Sequence, residues 1–239
     1  TRIILLAVGL GAFVVLAVQS MQSNLVREFD FSRNQKLPSM FFVDIQKSQV
    51  DELRQLLADR TAEQPEIIPT VRARVAYVNG QPFDYTNREV RQQQGQIGRE
   101  FAVTYREKLD ENESVISGQW WTAAPADVPE VSIEEDMAGR LQVSAGDSVT
   151  FDISGRKITA RVANIRKLDL RNTRTAFIFV FRPGVLEKAP QSFAATVLRH
   201  MGATERQRLQ RDTLERFPNV QIFDVADIIA TVQRLIENF

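Results

Sequence analysis

The pattern of apolar and polar positions changes character several times along this chain. Ile3 to Val18 carries no charge, amide or hydroxyl and is interrupted only by Gly9 and Gly11. As a helix this run reaches about 24 Å, short of the roughly 30 Å hydrocarbon core of a bilayer. Two readings compete: a secretory signal peptide, and a transmembrane helix whose start is cut off. A signal peptide should end in a small-residue cleavage site. Here Val18, Met21, Leu25 and Phe29 recur at spacings of three and four, so the helix is expected to run on past the membrane. That continuity favours the span. Residues 1-20 are expected to form a truncated transmembrane helix, and 21-37 a stalk helix and linker.

After the break at Arg33 to Pro38 the pattern alternates. Met40 to Gln46 predicts a strand with Phe41, Val43 and Ile45 on one face. Ser48 and Asp51 have capping-box spacing, and Val50, Leu53, Leu56 and Leu57 predict a helical stripe through Asp59. Val71 to Val78 predicts a second strand, and Asn79-Gly80 a hairpin turn into Gln81 to Tyr85. Phe101 to Tyr105 alternates again.

From Asn112 to Phe181 the signals are of short strands at turn spacings, which predicts a β-rich lobe. Ser132 and Glu135 predict a reciprocal cap for a short helix reaching Leu141. Gly146-Asp147 and Ser154-Gly155-Arg156 mark turns around the strands Ser148 to Ile153 and Lys157 to Arg166. The end of the chain returns to the first pattern. A strand from Ser192, a helix capped by Thr204 with Gln207, and a strand from Val220 to Phe223 make a second βαβ unit. Ala226 to Phe239 is amphipathic, with Ile229, Val232 and Ile236 on its apolar stripe.

The fold class expected is therefore α+β, a split βαβ lobe with a β-rich lobe inserted between its halves. The boundaries are 38-111 for the first part of the α/β lobe, 112-187 for the insertion, 188-225 for the second part and 226-239 for a returning helix.

Composition narrows the function. The 239 residues carry 30 basic and 30 acidic side chains, a net charge of zero, with no clustered basic stripe. That argues against nucleic acid as a partner. There is no cysteine, so disulfides, thiolate metal sites and cysteine nucleophiles are excluded. No phosphate loop, dinucleotide fingerprint or nucleophile elbow is present. The one histidine, His200, reads as a solvated residue at a strand end. Glu134-Glu135-Asp136 reads as carboxylates favoured at a helix start, with metal ligation or acid/base work the alternative. No catalytic residue, cofactor or metal is expected. Trp120-Trp121 reads as lobe-interface core, with a partner, lipid or ligand contact as the other reading. Arg166-Lys167, Arg171 and Arg174 read as a solvated loop flank.

An ordered series of segments carries a family resemblance: Phe41-Phe42-Val43-Asp44-Ile45-Gln46, Arg74 to Gly80, Arg99 to Tyr105, Gly118-Gln119-Trp120-Trp121, Val131 to Ala138, Phe151 to Gly155, and Phe217-Pro218-Asn219-Val220 with Phe223-Asp224-Val225. They resemble the extracytoplasmic domain of the FtsX/MacB-like permeases of ABC transporters, in its YbbP-type branch. The resemblance implies a porter-like α/β lobe holding a β-rich, sabre-like lobe, between two stalk helices that lead to membrane spans of the bacterial inner membrane. Residues from about 21 onward would lie in the periplasm. It also implies a cytoplasmic ABC ATPase as partner, a second permease copy, and a periplasmic partner protein or lipid-like substrate. The segment from Arg171 to Phe181 departs from the Pro-Asn-Phe-type pattern expected there. In this reading Met21, Leu25, Phe29, Ile229, Val232 and Ile236 couple the stalk. A periplasmic sensor ectodomain shares the layout and is the alternative; a membrane-anchored hydrolase would need a nucleophile–base pair.

Overall fold

The computed structural model describes residues 38–83, 100–122, 124, 126–169, 177–228 and 231. The expected membrane helix at 1-20 and the stalk at 21-37, with Met21, Leu25 and Phe29, lie outside them. So do Ile229, Val232 and Ile236. No helix among the described residues is long and apolar enough to cross a membrane.

The fold mixes helices with a larger number of strands. Strand β1 (Met40–Ile45) leads through a single 3-10 turn (Lys47–Gln49) into helix α1 (Val50–Thr61). The expected Ser48 cap does not form. Gln49 instead closes the turn, its Oε1 accepting from the Gln46 N–H at 2.9 Å. Leu53, Leu56 and Leu57 are the buried stripe of α1, and Ala62 ends it in the left-handed region. The buried face of β1 also differs from expectation. Met40, Phe42 and Ile45 are inside, because the pairing shifts between Phe42 and Ile45 and Asp44 takes a φ of 60°. Such a bulge switches the face that later residues present, so strict alternation fails here.

Strand β2 (Glu66–Val78) is longer than its apolar run predicts and is the spine of the molecule. It is followed by β3 (Gln81–Pro82), β4 (Phe101–Tyr105), β5 (Glu113–Gly118), β6 (Glu130–Glu134), helix α2 (Glu135–Leu141), β7 (Ser148–Ile153), β8 (Arg156–Leu168) and β9 (Phe179–Phe181). Strand β10 (Ser192–Val197), helix α3 (Ala203–Arg216) and β11 (Gln221–Asp224) complete the order, and Val225 to Ile228 begins a further helix.

The first half of β2 belongs to a four-stranded antiparallel sheet, β11-β1-β10-β2. Its strands come from the units β1-α1-β2 and β10-α3-β11, and α1 and α3 pack over one face. Phe42, Leu53, Leu57, Leu209, Phe217 and Val220 form that core. The second half of β2 pairs with β4 on one side and β7 on the other. From β4 the pairing continues to β9, β6, β8 and back to β7, so these strands and β2 close a ring. This is a small barrel. Val75, Val103, Ile133, Phe151, Val162, Phe179 and Phe181 fill it, with Met137 and Leu141 of α2 against one end. Phe151 meets Phe179 and Phe181 edge to face, with centroids 5.1 and 5.0 Å apart, a geometry the ring quadrupoles favour.

The boundary drawn at residue 112 is thus not where the sheet divides. Residues 71–78 and 101–105, placed with the α/β lobe in the sequence reading, are walls of the barrel. Two further cap expectations are corrected. Glu134 rather than Ser132 caps α2, accepting from the Asp136 and Met137 N–H groups at 3.0 Å. Ser132 is held in β6, which stays paired to β8 as far as Glu134. Helix α3 starts one residue before Thr204, with Gly202 at its cap and Glu205 accepting from the Gly202 N–H at 3.1 Å.

Candidate functional site

On the outside of the barrel lies a buried ionic network that the sequence reading missed. Arg166, expected in a solvated flank, is fully buried on β8. Its Nε donates to Glu113 Oε1 at 3.1 Å, and both side chains have zero exposure. Its Nη1 donates to the Ser132 carbonyl at 2.9 Å and to Ser132 Oγ at 3.1 Å, and its Nη2 donates to the Phe177 carbonyl. Arg106 holds the other Glu113 oxygen and also Asp110. Ser132 Oγ meets Asn164 Oδ1 at 2.5 Å, and the Asn164 amide donates to the Gln119 carbonyl at 3.1 Å. Burial pushes the Arg166 guanidinium below its ordinary pKa, and Glu113 opposes that shift. No local signal marked the network: Ala160 and Val162 face inward, so alternation alone would turn Asn164 and Arg166 inward as well, and it is the shift in β6–β8 pairing between Val162 and Asn164 that puts both on the outer face beside the inward-facing Ile165.

Over this network sit Trp120 and Trp121, ring centroids 4.0 Å apart. Trp121 is 8% exposed and clusters with Phe177 and Val180, while Ile68, Trp120 and Ala163 pack against them. Ile68 belongs to the half of β2 that pairs with β10, whereas Val180 and Ala163 belong to barrel strands. The pair therefore touches both parts of the fold. Each indole N–H is satisfied by backbone, Trp120 on the Glu107 carbonyl at 2.8 Å and Trp121 on the Arg106 carbonyl at 3.0 Å. No polar atom of either indole is left over for a ligand.

Gly118 delivers this segment. Its φ is +77°, and a Cβ there would lie 2.3 Å from the Ala163 carbonyl oxygen. Gly118→Ala should therefore cost about 2–4 kcal/mol, combining left-handed strain with overpacking against backbone. The chain has two tryptophans, both in this cluster, so tryptophan fluorescence during urea unfolding reads the site directly. An unchanged midpoint and spectrum would refute the tight fit.

A second feature lies where the chain enters and leaves the α/β sheet. Met40 pairs with Asp224 in neighbouring strands, and the Val225 N–H donates to the Ser39 carbonyl at 3.0 Å. Asp224 Oδ1 accepts from the Ala226 and Asp227 N–H groups at 3.0 and 3.3 Å, starting the helix at Val225, and Arg206 holds its other oxygen at 2.6 Å. The segments before Ser39 and after Val225 thus leave from adjacent points.

Among the described residues no group of three His, Asp or Glu side chains is placed to hold a metal. Glu134 is occupied as a helix cap, and Glu135 and Asp136 are exposed in the first turn of α2. His200 is exposed beyond β10.

The chain is related to the permease subunits of ABC transporters. Over 195 residues, 82% of its length, it is 30% identical to an uncharacterized ABC transporter permease. That relative is YbbP of Escherichia coli strain K12, and the chain spans 22% of its length. No family model matches the chain. A solved domain assigned to a permease protein of Porphyromonas gingivalis aligns with 81% of this chain and 89% of its own, at a TM-score of 0.33 and 11% identity.

Proposed function

We propose that this chain is the extracytoplasmic domain of an ABC permease subunit, anchored in the bacterial inner membrane and exposed to the periplasm. A separate cytoplasmic ATPase hydrolyses ATP, and stalk helices before Ser39 and after Val225 carry the resulting motion to the two lobes. The lobes are porter-like and sabre-like, and the motion serves to move or extract a hydrophobic, lipid-like substrate. A second permease copy completes the machine, with a periplasmic protein as a further partner. The subunit itself is not an enzyme. The observation that carries this reading is the hydrogen bond between Val225 and Ser39, because it makes the two flanking segments neighbours at one edge of the domain.

On this reading Met21, Leu25 and Phe29 face Ile229, Val232 and Ile236 across a two-helix seam. Isolated helices of this length are marginal in water, so each apolar stripe needs a partner. Leu25→Asp or Val232→Asp should bury an unpaired carboxylate in that seam. Such variants should bind the ATPase normally, keep the lobes folded and lose coupling of ATP hydrolysis to transport. Cysteines placed at positions 25 and 232 of the full permease test the geometry, since this domain has none of its own. Failure to cross-link within or between subunits, together with normal transport by Leu25→Asp, would refute the stalk.

A further inference from the structure

The junction between the α/β lobe and the barrel is braced from several directions. Strand β2 crosses it without interruption, pairing through Thr70 with β10 and from Val71 with β4. At about 3.3 Å per residue a 13-residue strand is a beam of roughly 40 Å. Pro69 stands at the crossing, where its ring fixes φ, and its carbonyl accepts from the buried Thr104 Oγ1 at 2.7 Å. The Tyr105 hydroxyl and Gln191 Oε1 are 3.1 Å apart, linking β4 to the segment that leads into β10. From the β1 bulge, Asp44 Oδ1 reaches Arg72 Nη2 at 3.3 Å, a strut between a strand of the α/β lobe and the barrel half of β2. The tryptophan pair packs on Ile68 and on Val180 and so bridges the same seam.

A hinge needs a few residues whose backbone can change with little loss of contact. Here a bend between Thr70 and Val71 would break the Thr104 bond to Pro69, the Asp44–Arg72 strut and the tryptophan packing together, and a bend to either side of that step would break the pairing with β10 or with β4.

We infer that the α/β lobe and the barrel move as one rigid body, so that motion is confined to the Ser39–Val225 edge and the barrel is displaced without bending against its base. This rests on the permease reading above and specifies what that motion does. A lever that bent at its middle would dissipate displacement arriving at its base; one with a continuous strand through its length delivers it to the far end.

The test uses spin labels in the full permease bound to its ATPase, at Arg208→Cys on α3 and Glu135→Cys on α2, both exposed positions in different lobes. The inter-lobe distance should be the same without nucleotide, with ATP and with ATP plus vanadate, while the distance from position 208 to a label on the ATPase changes. The double variant Thr104→Val with Tyr105→Phe should broaden the inter-lobe distribution and reduce transport, while the protein still binds the ATPase. An inter-lobe distance that shifts with nucleotide overturns the rigid body even if the lever reading stands. A protein in which neither distance responds to nucleotide overturns the lever reading and the rigid body with it. An unchanged inter-lobe distribution in the double variant refutes the bracing role assigned to these two side chains.

Discussion

Arg166→Met should cost this domain about 3–5 kcal/mol, as expected when one partner of a buried ion pair is removed and the other is left behind. The loss comes from what stays. Glu113 would keep a carboxylate with zero exposure and only Arg106 to answer it. The Ser132 and Phe177 carbonyls would lose a charged donor at the same time. Hydrogen bonds to charged groups and unsatisfied buried acceptors each count for more than a neutral surface bond. The burial that lowers the Arg166 pKa expresses the same cost of keeping a charge out of water. Removing both charges tells the two contributions apart. Glu113→Leu with Arg166→Met should recover much of the single-variant loss, because an apolar pair of similar volume carries no uncompensated charge. Urea unfolding followed by tryptophan fluorescence measures all of these proteins. A single-variant loss below about 1 kcal/mol, the range of solvated surface pairs, would show that water reaches the network.

Joining Thr70 directly to Ser192 through an Asn-Gly turn should yield a cooperatively folding α/β domain of about 70 residues, a size at which many domains fold alone. Thr70 and Ser192 are paired across β2 and β10, so the junction closes a hairpin already in register. The core of Phe42, Leu53, Leu57, Leu209 and Phe217 draws nothing from the residues removed. The cut suggested by the apolar pattern should behave in the opposite way. Deleting 112–186 strips the barrel of most of its wall and leaves Val71, Ala73, Val75 and Val103, at most 1% exposed, facing water. That chain should aggregate or unfold over a broad range. Calorimetry separates the outcomes, since a two-state transition has equal calorimetric and van't Hoff enthalpies. If the 112–186 deletion melts as a single sharp transition and the Thr70–Ser192 fusion does not, the partition of cores described above is wrong.

Both expectations depend on features with different visibility in the sequence. Local chemistry was legible. Asn79-Gly80 and Ser154-Gly155 take the positive φ values that a tight hairpin requires, 48° and 77° in the first and 52° and 86° in the second. The Leu53, Leu56 and Leu57 stripe marked α1, and the alternation of Phe151 with its neighbours marked β7. These signals depend on residues a few positions apart, which is the range over which backbone sterics and helix or strand periodicity act. The tryptophan pair was singled out by residue type alone.

Everything that depended on a distant partner was decided by the tertiary structure. A bulge at Asp44 put Phe42 rather than Phe41 and Val43 inside, and a face switch of that kind is set by what the neighbouring strands β10 and β11 can pair with. The sequence places Arg166 in solvent, because a charged residue at the end of an apolar run is usually solvated. It is buried because Glu113, 53 positions earlier, and the Ser132 and Phe177 backbone converge on it. The barrel closes because β2 is long enough to serve two sheets, and no local pattern records how many strands one strand will pair with. Periodicity fixes what each segment can become; register, closure and the burial of charge are properties of contacts between segments, whose free energy exists only once the chain has brought them together.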